Sequence, residues 1–539
     1  MSIDELLIST VDIAEVPSSS LISAEPAGEP TPSSAELLFL LHYRGVNVWT
    51  DSGRLCIRAP TNALSENEQN LLKTLRRELI QLIDNGESID NVPLQPCAVG
   101  CSTPLTVQQQ RSWEFSRRKN ALESKRLCCM AVRVQGPLDT ACLKISLGTL
   151  RARQKSLRTR FLEVEGVPRQ HVDSRCDYDL PAIDLSKEET ADREEMLRRL
   201  TSEFLEEKVD LRGGELFAAR LYKISREDHI LQLAIEHLVA DDFSLKILDR
   251  ELWELYSITM RNEKNALPPL PVQFGDYAIW QHRTAGTWLK EHGSYWKERL
   301  RNVSPLRLPL NDGSVKPAAV GSFLQVPFGE TRSATLKEFC KREGILLPVA
   351  VLTAFSAVLS HWCMQSDMLL AFVVHGRSRP EIRDVIGLFA NVTYLGIKLS
   401  SHDTFAGLLR TVDAEVLLAH KHAGIWGVPD FIGEPIAADI EFNWAPLSWP
   451  DALVGVPRKI GANTRLRPFP LRQIPWPAKF QPFFSDSAAG IVMTVIYRPD
   501  LLPASKVEAF GRDLRLFVDE LMYRPHSCVG SLSTSSSFH

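Results

Sequence analysis

The sequence has no run of eighteen or more apolar residues, which argues against a membrane-spanning helix. It also has no excess of one charge, because 62 lysines and arginines stand against 66 acidic residues. A formal net charge of -4 gives no reason to expect nucleic acid or an anionic membrane as a partner. The opening residues, MSIDELLISTVDIAEV, carry acids where a signal peptide carries positive charge, so we expect a cytoplasmic protein.

A cysteine framework is missing as well. Ten cysteines are scattered along the 539 residues. The two close pairs, Cys97 with Cys101 and Cys128 with Cys129, have no second pair at metal-ligand spacing. We interpret the cysteines as reduced thiols and predict no bound metal, with a zinc site or a disulfide as the less favoured alternative.

The composition divides the N-terminal part of the chain into three segments. Residues 1–33 include a stretch rich in Pro, Ser, Ala and Glu, which predicts a disordered leader. Residues 34–86 predict a small α-β-β-α unit, in which VNVWT and RLCIRAP form a hairpin and capping residues start a helix at each end. Residues 87–101 resemble a linker.

Strand and helix signals alternate from residue 102 to residue 532, which predicts a mixed α/β (α+β) fold. The length suits two halves, divided here at 102–280 and 281–532, with a short tail at 533–539. The predicted strands are VRVQGPL, ILQLAIEHL, SFLQVPF, MLLAFVVHG and GIVMTVIY. The predicted helices are LDTACLKISLGTLRARQ, FSLKILDRELWELYSITM and PASKVEAFGRDLRLFVDELM.

One strand-to-helix junction, AIEHLVADDFSLKIL, concentrates titratable residues. Its loop begins after Glu236 and contains His237, Asp241 and Asp242. In a catalytic interpretation, His237 is a general base or proton-positioning group and Asp241 shapes the loop. In a structural interpretation, the two aspartates cap the following helix and His237 is a core residue.

This junction resembles the core motif of the condensation domains of non-ribosomal peptide synthetases, H-H-x-x-x-D-G. His237 and Asp241 match the second histidine and the aspartate, whereas Glu236 and Asp242 replace the first histidine and the glycine. Other segments of the chain resemble the other motifs of this family and occur in the same order along the sequence. They are PLTVQQQRSWEF, RQKSLRTRF, FGDYAIWQ, HGRSRPE, IGLFANV and IYRPDLLPASKVEAF.

The N-terminal unit resembles tubulysin-type docking domains, small hairpin-bearing modules that bind a short C-terminal tail of an upstream synthase subunit. Its basic residues suit an acidic tail, although a solvated surface is the alternative for each of them. These residues are Arg54, Arg58, Lys73, Arg76 and Arg77.

The resemblance implies a pair of chloramphenicol-acetyltransferase-like halves arranged as a V around a tunnel. It implies that His237 is catalytic and that Asp241 is a structural acid, paired with Arg153 or Arg158. Asn391 and Trp280 become tunnel or supporting residues, with core packing as the alternative for Trp280. Glu236 either pairs with a basic group or has its pKa raised by burial.

Two departures from the family pattern concern the shape of the loop. Asp242 loses the small size and torsional freedom of the family's glycine. Glu236, Asp241 and Ser244 also echo the D-x-x-x-x-D-x-x-S pattern of heterocyclisation domains, but those domains lack His237.

The sequence shows no G-G-x-S carrier motif and no Gly/Ser/Thr-rich adenylation loop, so we expect a free-standing enzyme, and the resemblance implies no bound cofactor of its own. The donor is an acyl thioester on the phosphopantetheine arm of a carrier protein, and the acceptor is a second carrier or a soluble amine or alcohol. Transfer to a soluble acceptor releases the chain as an amide or ester. The alternative hypothesis is a degenerate condensation fold that acts as a scaffold between synthase subunits.

Overall fold

The computed structural model describes most of the chain from residue 92 to residue 531, together with short segments nearer the N-terminus. The predicted leader, most of the first predicted docking helix and the tail at 533–539 lie outside the described residues. The described residues are 34, 37, 47–51, 54–58, 64, 66–84, 92–98, 100, 102–117, 126–164, 166–206, 216–263, 267–300, 306–310, 322–377, 379–422, 440–444, 458–460, 463–469, 471, 479–487 and 490–531.

The regular elements alternate between strands and helices, as the sequence predicts. The strands are β1 (Asn47–Asp51), β2 (Arg54–Arg58), β3 (Thr103–Pro104), β4 (Leu127–Gln135), β5 (Thr159–Val164), β6 (Val167–Val172), β7 (Ala182–Asp184), β8 (Phe217–Ser225), β9 (Asp228–Glu236), β10 (Ser322–Pro327), β11 (Asp367–Val374), β12 (Asn391–Lys398), β13 (Glu441–Trp444), β14 (Arg458–Ile460), β15 (Thr464–Pro468), β16 (Phe480–Ser487) and β17 (Gly490–Tyr497). The helices are α1 (Glu66–Thr74), α2 (Arg76–Asp84), α3 (Val107–Arg117), α4 (Thr140–Arg153), α5 (Thr190–Glu206), α6 (Asp242–Met260), α7 (Phe274–Arg299), α8 (Glu330–Glu343), α9 (Leu347–Cys363), α10 (Phe405–Lys421) and α11 (Ala504–Tyr523).

The N-terminal unit contains the predicted hairpin, in which β1 and β2 pair antiparallel from Asn47 opposite Arg58 to Asp51 opposite Arg54. The second predicted helix is divided at Leu75 into α1 and α2, although backbone hydrogen bonds continue through that residue. A small core of alternating strand residues and helical residues holds the unit together, and it consists of Leu37, Val48, Leu55, Ile57, Leu72 and Leu79.

The first large sheet has six strands in the order β14-β15-β4-β9-β8-β7. Its two longest central strands, β4 and β9, pair antiparallel from Leu127 opposite Glu236 to Gln135 opposite Asp228. Helices α4 and α6 cover one face, because apolar residues recur on them at helical spacing and bury themselves against the strands. This sheet carries the Glu236 end of β9 to the candidate site.

The second large sheet also has six strands, in the order β10-β17-β16-β13-β11-β12. Helix α9 is apolar on all sides and is buried beside α11 in its core. No single described helix is long and apolar enough to span a membrane. Helices α8 and α9 meet that criterion only as a pair bent by 109°, and burial of α9 explains its composition.

The structure departs from the predicted division at residue 280 in two ways. Helix α7 runs across this position as one helix of 26 residues. Strands β14 and β15 come late in the chain, yet β15 pairs with β4 in the first sheet, with Leu466 opposite Val134. Periodicity predicts that a segment is a strand, but it does not say which sheet the strand joins.

Part of the predicted linker packs against α7. Leu94 is buried with Phe274, and the Cys97 N–H donates a hydrogen bond of 2.8 Å to Asp276 Oδ1. The Trp280 indole N–H donates to the Val92 carbonyl over 2.8 Å. Residues 92–98 therefore form part of the packed structure beside α7.

Gly387 gives a test of the packing between α7 and the segment that precedes β12. A Cβ atom at this residue would lie 2.0 Å from Cδ2 of Phe274, which is itself buried. We expect Gly387→Ala to lower the free energy of unfolding by about 1–3 kcal/mol, because a well-packed site has to distort around the methyl group. Chemical denaturation measures the change.

Gly148→Ala is the matched control. Gly148 lies inside α4, where an added Cβ would approach no neighbour closer than 3.8 Å. Alanine favours a helix over glycine by about 1 kcal/mol, so we expect this variant to be at least as stable as the wild type. Wild-type stability of Gly387→Ala would contradict the packing described here.

Candidate active site

The candidate site is built on the loop between β9 and α6. Asp241 has extended backbone angles and caps α6, since its carboxylate accepts a 2.8 Å hydrogen bond from the Ser244 N–H. The Val239 N–H donates to the Glu236 carbonyl over 3.0 Å and closes the loop. Asp241 therefore caps α6, as the structural interpretation predicts. Its other hydrogen bonds show that it also connects this loop to the second sheet.

The Asp241 carboxylate accepts six hydrogen bonds although it is buried. Two come from Ser244, two come from the Arg377 guanidinium at 2.8 and 2.9 Å, and the N–H groups of Phe389 and Ala390 each contribute one at 3.0 Å. Burial alone raises the pKa of Asp241, but Arg377 and Ser244 outweigh it and hold the pKa below its usual value.

The prediction that Arg153 or Arg158 pairs with Asp241 is wrong. Arg153 pairs with Glu251 at 3.1 Å, and Arg158 donates to backbone carbonyl groups, including that of Arg151 at 3.1 Å. The true partner, Arg377, is 136 residues from Asp241 in the chain. It lies in the HGRSRPE segment already noted for its resemblance, so that motif carried the signal.

Arg377 is held in place by its own surroundings. Its guanidinium lies 4.7 Å from the ring centroid of Phe243 and 4.5 Å from that of Phe389. Gly376 precedes it with a positive φ of 64°, and a Cβ there would lie 2.1 Å from the Phe389 carbonyl oxygen. A glycine is therefore required before the arginine that pairs with Asp241.

His237 is buried and held by its loop. Its Nδ1 lies 2.9 Å from the Ala240 carbonyl oxygen, which only accepts hydrogen bonds, so we assign the imidazole proton to Nδ1. Burial and the nearby Arg126 lower the pKa of His237 to about 4, against the opposing effect of Asp241. The imidazole is thus neutral near pH 7, and its Nε2 lone pair is a hydrogen-bond acceptor.

His237 lines a pocket between the two large sheets together with several predicted residues. Asp241, Asp242 and Asn391 share this pocket. The structure adds polar residues that the sequence did not single out, namely Cys128, His375, Glu441, Asn443 and Gln481. Alternation along β13 was the available signal for two of these residues, since Glu441 and Asn443 are two positions apart in a strand.

Glu236 belongs to a charged cluster beside this pocket. Arg126 interacts electrostatically with Glu236 and with Glu441, and Arg111 lies close enough to affect Glu441 as well. Burial raises the pKa of Glu441 against the opposing effect of both arginines, and Gln481 donates a 2.8 Å hydrogen bond to its carboxylate. The pairing of Glu236 with a basic group stays a prediction, and Arg126 is a described arginine that interacts with it electrostatically.

Two other predicted residues support the site from outside the pocket. Trp280 packs in the core with Phe274 and Phe389, as in the core-packing alternative. The Ser244 hydroxyl oxygen accepts a 3.1 Å hydrogen bond from the Gly387 N–H and so joins α6 to the segment before β12. Throughout the described part of the chain, no three His, Cys, Asp or Glu side chains are grouped so as to hold a metal ion.

The predicted docking residues differ in exposure. Arg54, Lys73 and Arg77 are exposed and Arg76 is partly buried, whereas the Arg58 side chain lies outside the described part of the structure. Lys73 and Arg77 are four residues apart along a nearly continuous helix, so they share one face.

Comparison with protein families gives two matches. The family model described as "Condensation domain" matches residues 101–426, and the model described as "TubC N-terminal docking domain" matches residues 35–84. Both resemblances predicted from the motifs are confirmed.

Comparison with individual proteins agrees with these matches. One polypeptide of the linear gramicidin synthase of Brevibacillus parabrevis is 33% identical over 345 residues, which are 63% of this chain and 7% of that protein. Chondramide synthase of Chondromyces crocatus is 27% identical over 462 residues, which are 83% of this chain and 12% of that protein. The chain thus spans only a small fraction of the length of these relatives.

The fold is similar to that of the X-domain from teicoplanin biosynthesis. That crystal structure matches with a TM-score of 0.71 and 21% sequence identity over 82% of this chain and all of the X-domain. This similarity confirms the predicted mixed α/β fold of two sheet-and-helix halves.

The Asp241–Arg377 pair leads to a stability prediction. We expect Arg377→Ala to lower the free energy of unfolding by about 3–5 kcal/mol, because it leaves the Asp241 carboxylate buried without its counter-charge. Chemical denaturation followed by circular dichroism measures the difference.

Arg250→Ala provides the control, since Arg250 pairs with Asp384 where both side chains are about half exposed. An exposed pair contributes about 0–1 kcal/mol, so this variant should stay close to the wild type. Similar losses in the two variants would contradict a special role for the buried pair.

Proposed function

The chain belongs to the condensation domain family, and from this premise we propose that it transfers an acyl group from a carrier-bound thioester to an amine or hydroxyl acceptor. The product is an amide or an ester, and a soluble acceptor would release the chain from its carrier. The observation that carries this proposal is the neutral His237 imidazole, whose Nδ1 is tied to Ala240 while the side chain lines the pocket.

The reaction needs little from the protein beyond positioning and proton handling. The acceptor nitrogen or oxygen attacks the thioester carbonyl, the C–S bond breaks, and the phosphopantetheine thiol leaves with a proton. With a pKa of about 4, His237 is too weak a base to deprotonate a resting amine or alcohol. We therefore assign it the role of orienting the nucleophile and accepting its proton as the new bond forms.

A scaffold without catalytic activity is the second candidate. It is favoured by Glu236 and Asp242, which stand where the family motif has a histidine and a glycine. Intact-mass measurement of the acylated carrier protein separates the candidates, because a scaffold leaves the acyl chain in place when an acceptor is added.

The N-terminal unit supports a proposal about the donor. We propose that residues 34–86 bind a C-terminal tail of the polypeptide that bears the donor carrier protein. The match to the docking-domain family and the exposed basic residues Arg54, Lys73 and Arg77 support an acidic tail as the ligand.

His237→Ala tests the catalytic proposal. We expect it to reduce acceptor-dependent loss of the acyl chain from the carrier by about 10²–10⁴-fold, a typical contribution of a positioned acid–base group. The measurement is intact-mass spectrometry of the acylated carrier over time. His402→Ala is the control, because His402 is exposed and far along the chain from the loop. Equal rates for the wild type and His237→Ala would contradict a catalytic role for His237.

Charge reversal tests the docking proposal. The triple variant Arg54→Glu, Lys73→Glu, Arg77→Glu should weaken binding of the donor polypeptide's acidic tail by at least about tenfold at low salt, because it replaces attraction with repulsion. Isothermal titration calorimetry with the tail peptide measures this. Reversal of three exposed basic residues elsewhere, Lys144, Lys341 and Lys398, is the matched control. Unchanged affinity in the first variant would contradict the proposed docking surface.

A further inference from the structure

A second histidine lines the pocket from the second large sheet. His375 directly follows Val374, the last residue of β11, just as His237 directly follows Glu236, the last residue of β9. Strand β9 belongs to the first large sheet and β11 to the second. Both imidazoles line the same pocket, so each sheet contributes one histidine to it. The transfer proposed above uses His237 and gives His375 no role.

The ring of His375 is held by two neighbours. Its Nε2 lies 3.0 Å from the carbonyl oxygen of Trp444, the last residue of β13. A carbonyl oxygen only accepts hydrogen bonds, so we assign the imidazole proton to Nε2. The Phe243 ring also lines the pocket and packs beside the imidazole, with 6.2 Å between the ring centroids. These contacts fix the direction in which the other ring nitrogen, Nδ1, points.

The Nδ1 atom of His375 is available as a hydrogen-bond acceptor. It has no hydrogen bond with any described residue, yet it is not shut off from solvent, whereas the Nδ1 atom of His229 is buried without a partner. Burial lowers the pKa of His375 against the opposing effect of Asp241, so the imidazole is neutral near pH 7 and Nδ1 keeps its lone pair. Because His375 lines the pocket, a ligand there can reach this lone pair.

The carboxylates of the pocket differ from this nitrogen, because the protein itself supplies donors to them. Each accepts at least one hydrogen bond from a side chain, and the pairs are Asp241 with Arg377, Asp242 with Asn443 and Glu441 with Gln481. The Nδ1 of His375 is therefore an acceptor in the pocket wall that no described donor engages.

We propose that the Nδ1 of His375 accepts a hydrogen bond from the nucleophilic nitrogen of the acceptor, as a second contact beside that of His237. This inference rests on the acyl transfer proposed above and adds to it a residue that contacts the nucleophile. A primary amine has two N–H groups and can contact both imidazoles at once, whereas a hydroxyl group has a single O–H that one imidazole satisfies. The two histidines together therefore discriminate between the two acceptor classes.

The contribution of His375 grows as the reaction proceeds. The nitrogen lone pair forms the new N–C bond, the C–S bond breaks, the nitrogen loses one proton and the leaving sulfur gains one. While the N–C bond forms, the nitrogen gains positive charge and its N–H groups become stronger donors. A hydrogen bond to Nδ1 is then stronger in the transition state than in the bound ground state, which accelerates amide formation. Ester formation gains nothing from it.

Two substitutions of His375 separate contact with the acceptor from a structural role. His375→Gln places an amide N–H near the position of Nε2, where it can donate to the Trp444 carbonyl, but it has no acceptor at the position of Nδ1. His375→Asn places its amide near the position of Nδ1 and loses the bond to Trp444. A purely structural role predicts the higher activity for His375→Gln, and contact with the nucleophile predicts it for His375→Asn.

The acceptors for this test are glycyl-pantetheine and glycolyl-pantetheine, which differ only in an amine in place of a hydroxyl group. We expect His375→Gln to lower amide formation by about 10–100-fold, the effect of one hydrogen bond to a charged group, and to leave ester formation within about twofold. His375→Asn should retain more amide formation than His375→Gln. Mass spectrometry of the amide and ester products measures the rates.

His402→Gln, at an exposed histidine, is the control and should match the wild type with both acceptors. Three outcomes would overturn the proposal. They are equal losses of amide and ester formation in His375→Gln, unchanged amide formation in that variant, and more amide formation in His375→Gln than in His375→Asn.

Nitrogen-15 NMR of the histidine-labelled full chain gives a readout that is independent of turnover. The Nδ1 signal of His375 is identified by its absence from the His375→Gln spectrum. Glycyl-pantetheine should shift this signal, because the nitrogen becomes a hydrogen-bond acceptor, and glycolyl-pantetheine should shift it less. A shift without transfer to either acceptor counts against the proposed function while it supports the contact. No shift with glycyl-pantetheine contradicts the contact, whatever the rate of transfer.

Discussion

The buried ion pair between Asp241 and Arg377 determines the geometry of the rest of the site. Its two members lie in segments that follow strands of different sheets, β9 and β11. Four N–H groups, from Arg377, Phe389 and Ala390, donate to the Asp241 carboxylate. Such a pair is costly to desolvate, and it is tolerated because every oxygen is hydrogen-bonded. Ser244 reinforces it, because its hydroxyl group donates to Asp241 and accepts from the Gly387 N–H. The loop that carries His237 is consequently fixed at its C-terminal end.

The two adjacent aspartates are in different environments, because Asp241 is held in an ion pair and Asp242 faces the pocket. Asp241 points to Arg377 and has a lowered pKa, whereas Asp242 faces the pocket and has a pKa raised to about 7. The charge of Asp241 is committed to the ion pair, so it adds little to the field inside the pocket. Environments that push neighbouring pKa values apart are typical of sites where two carboxyl groups have different roles.

Much of this arrangement could be predicted from the sequence, because its elements have strong local signals. The alternating strands and the amphipathic helix α6 follow from periodicity, and the motif order pointed to His237 and Asp241. The partner of Asp241 could not be derived locally, since it lies 136 residues away in the chain and depends on how the two sheets approach each other. The same holds for Asn443, which reaches Asp242 only because β13 inserts between β11 and β16. Glu236 was predicted beside His237, but its relation to Arg126 comes from the pairing of β4 with β9.

Of the two departures from the family motif, Asp242 adds a carboxyl group to the pocket that His237 lines, and Glu236 lies near Arg126 beside it. An ammonium has to lose a proton before its nitrogen attacks a thioester, and His237 is too weak a base for that step. Asp242 lines the same pocket, and burial together with Asp241 raises its pKa to about 7. The Asn443 amide donates to this carboxylate, and its own oxygen is buried without a hydrogen-bond partner among the described residues. The glycine-to-aspartate change thus adds a titratable group to the pocket, while the Asp241–Arg377 pair beside it keeps the loop in place.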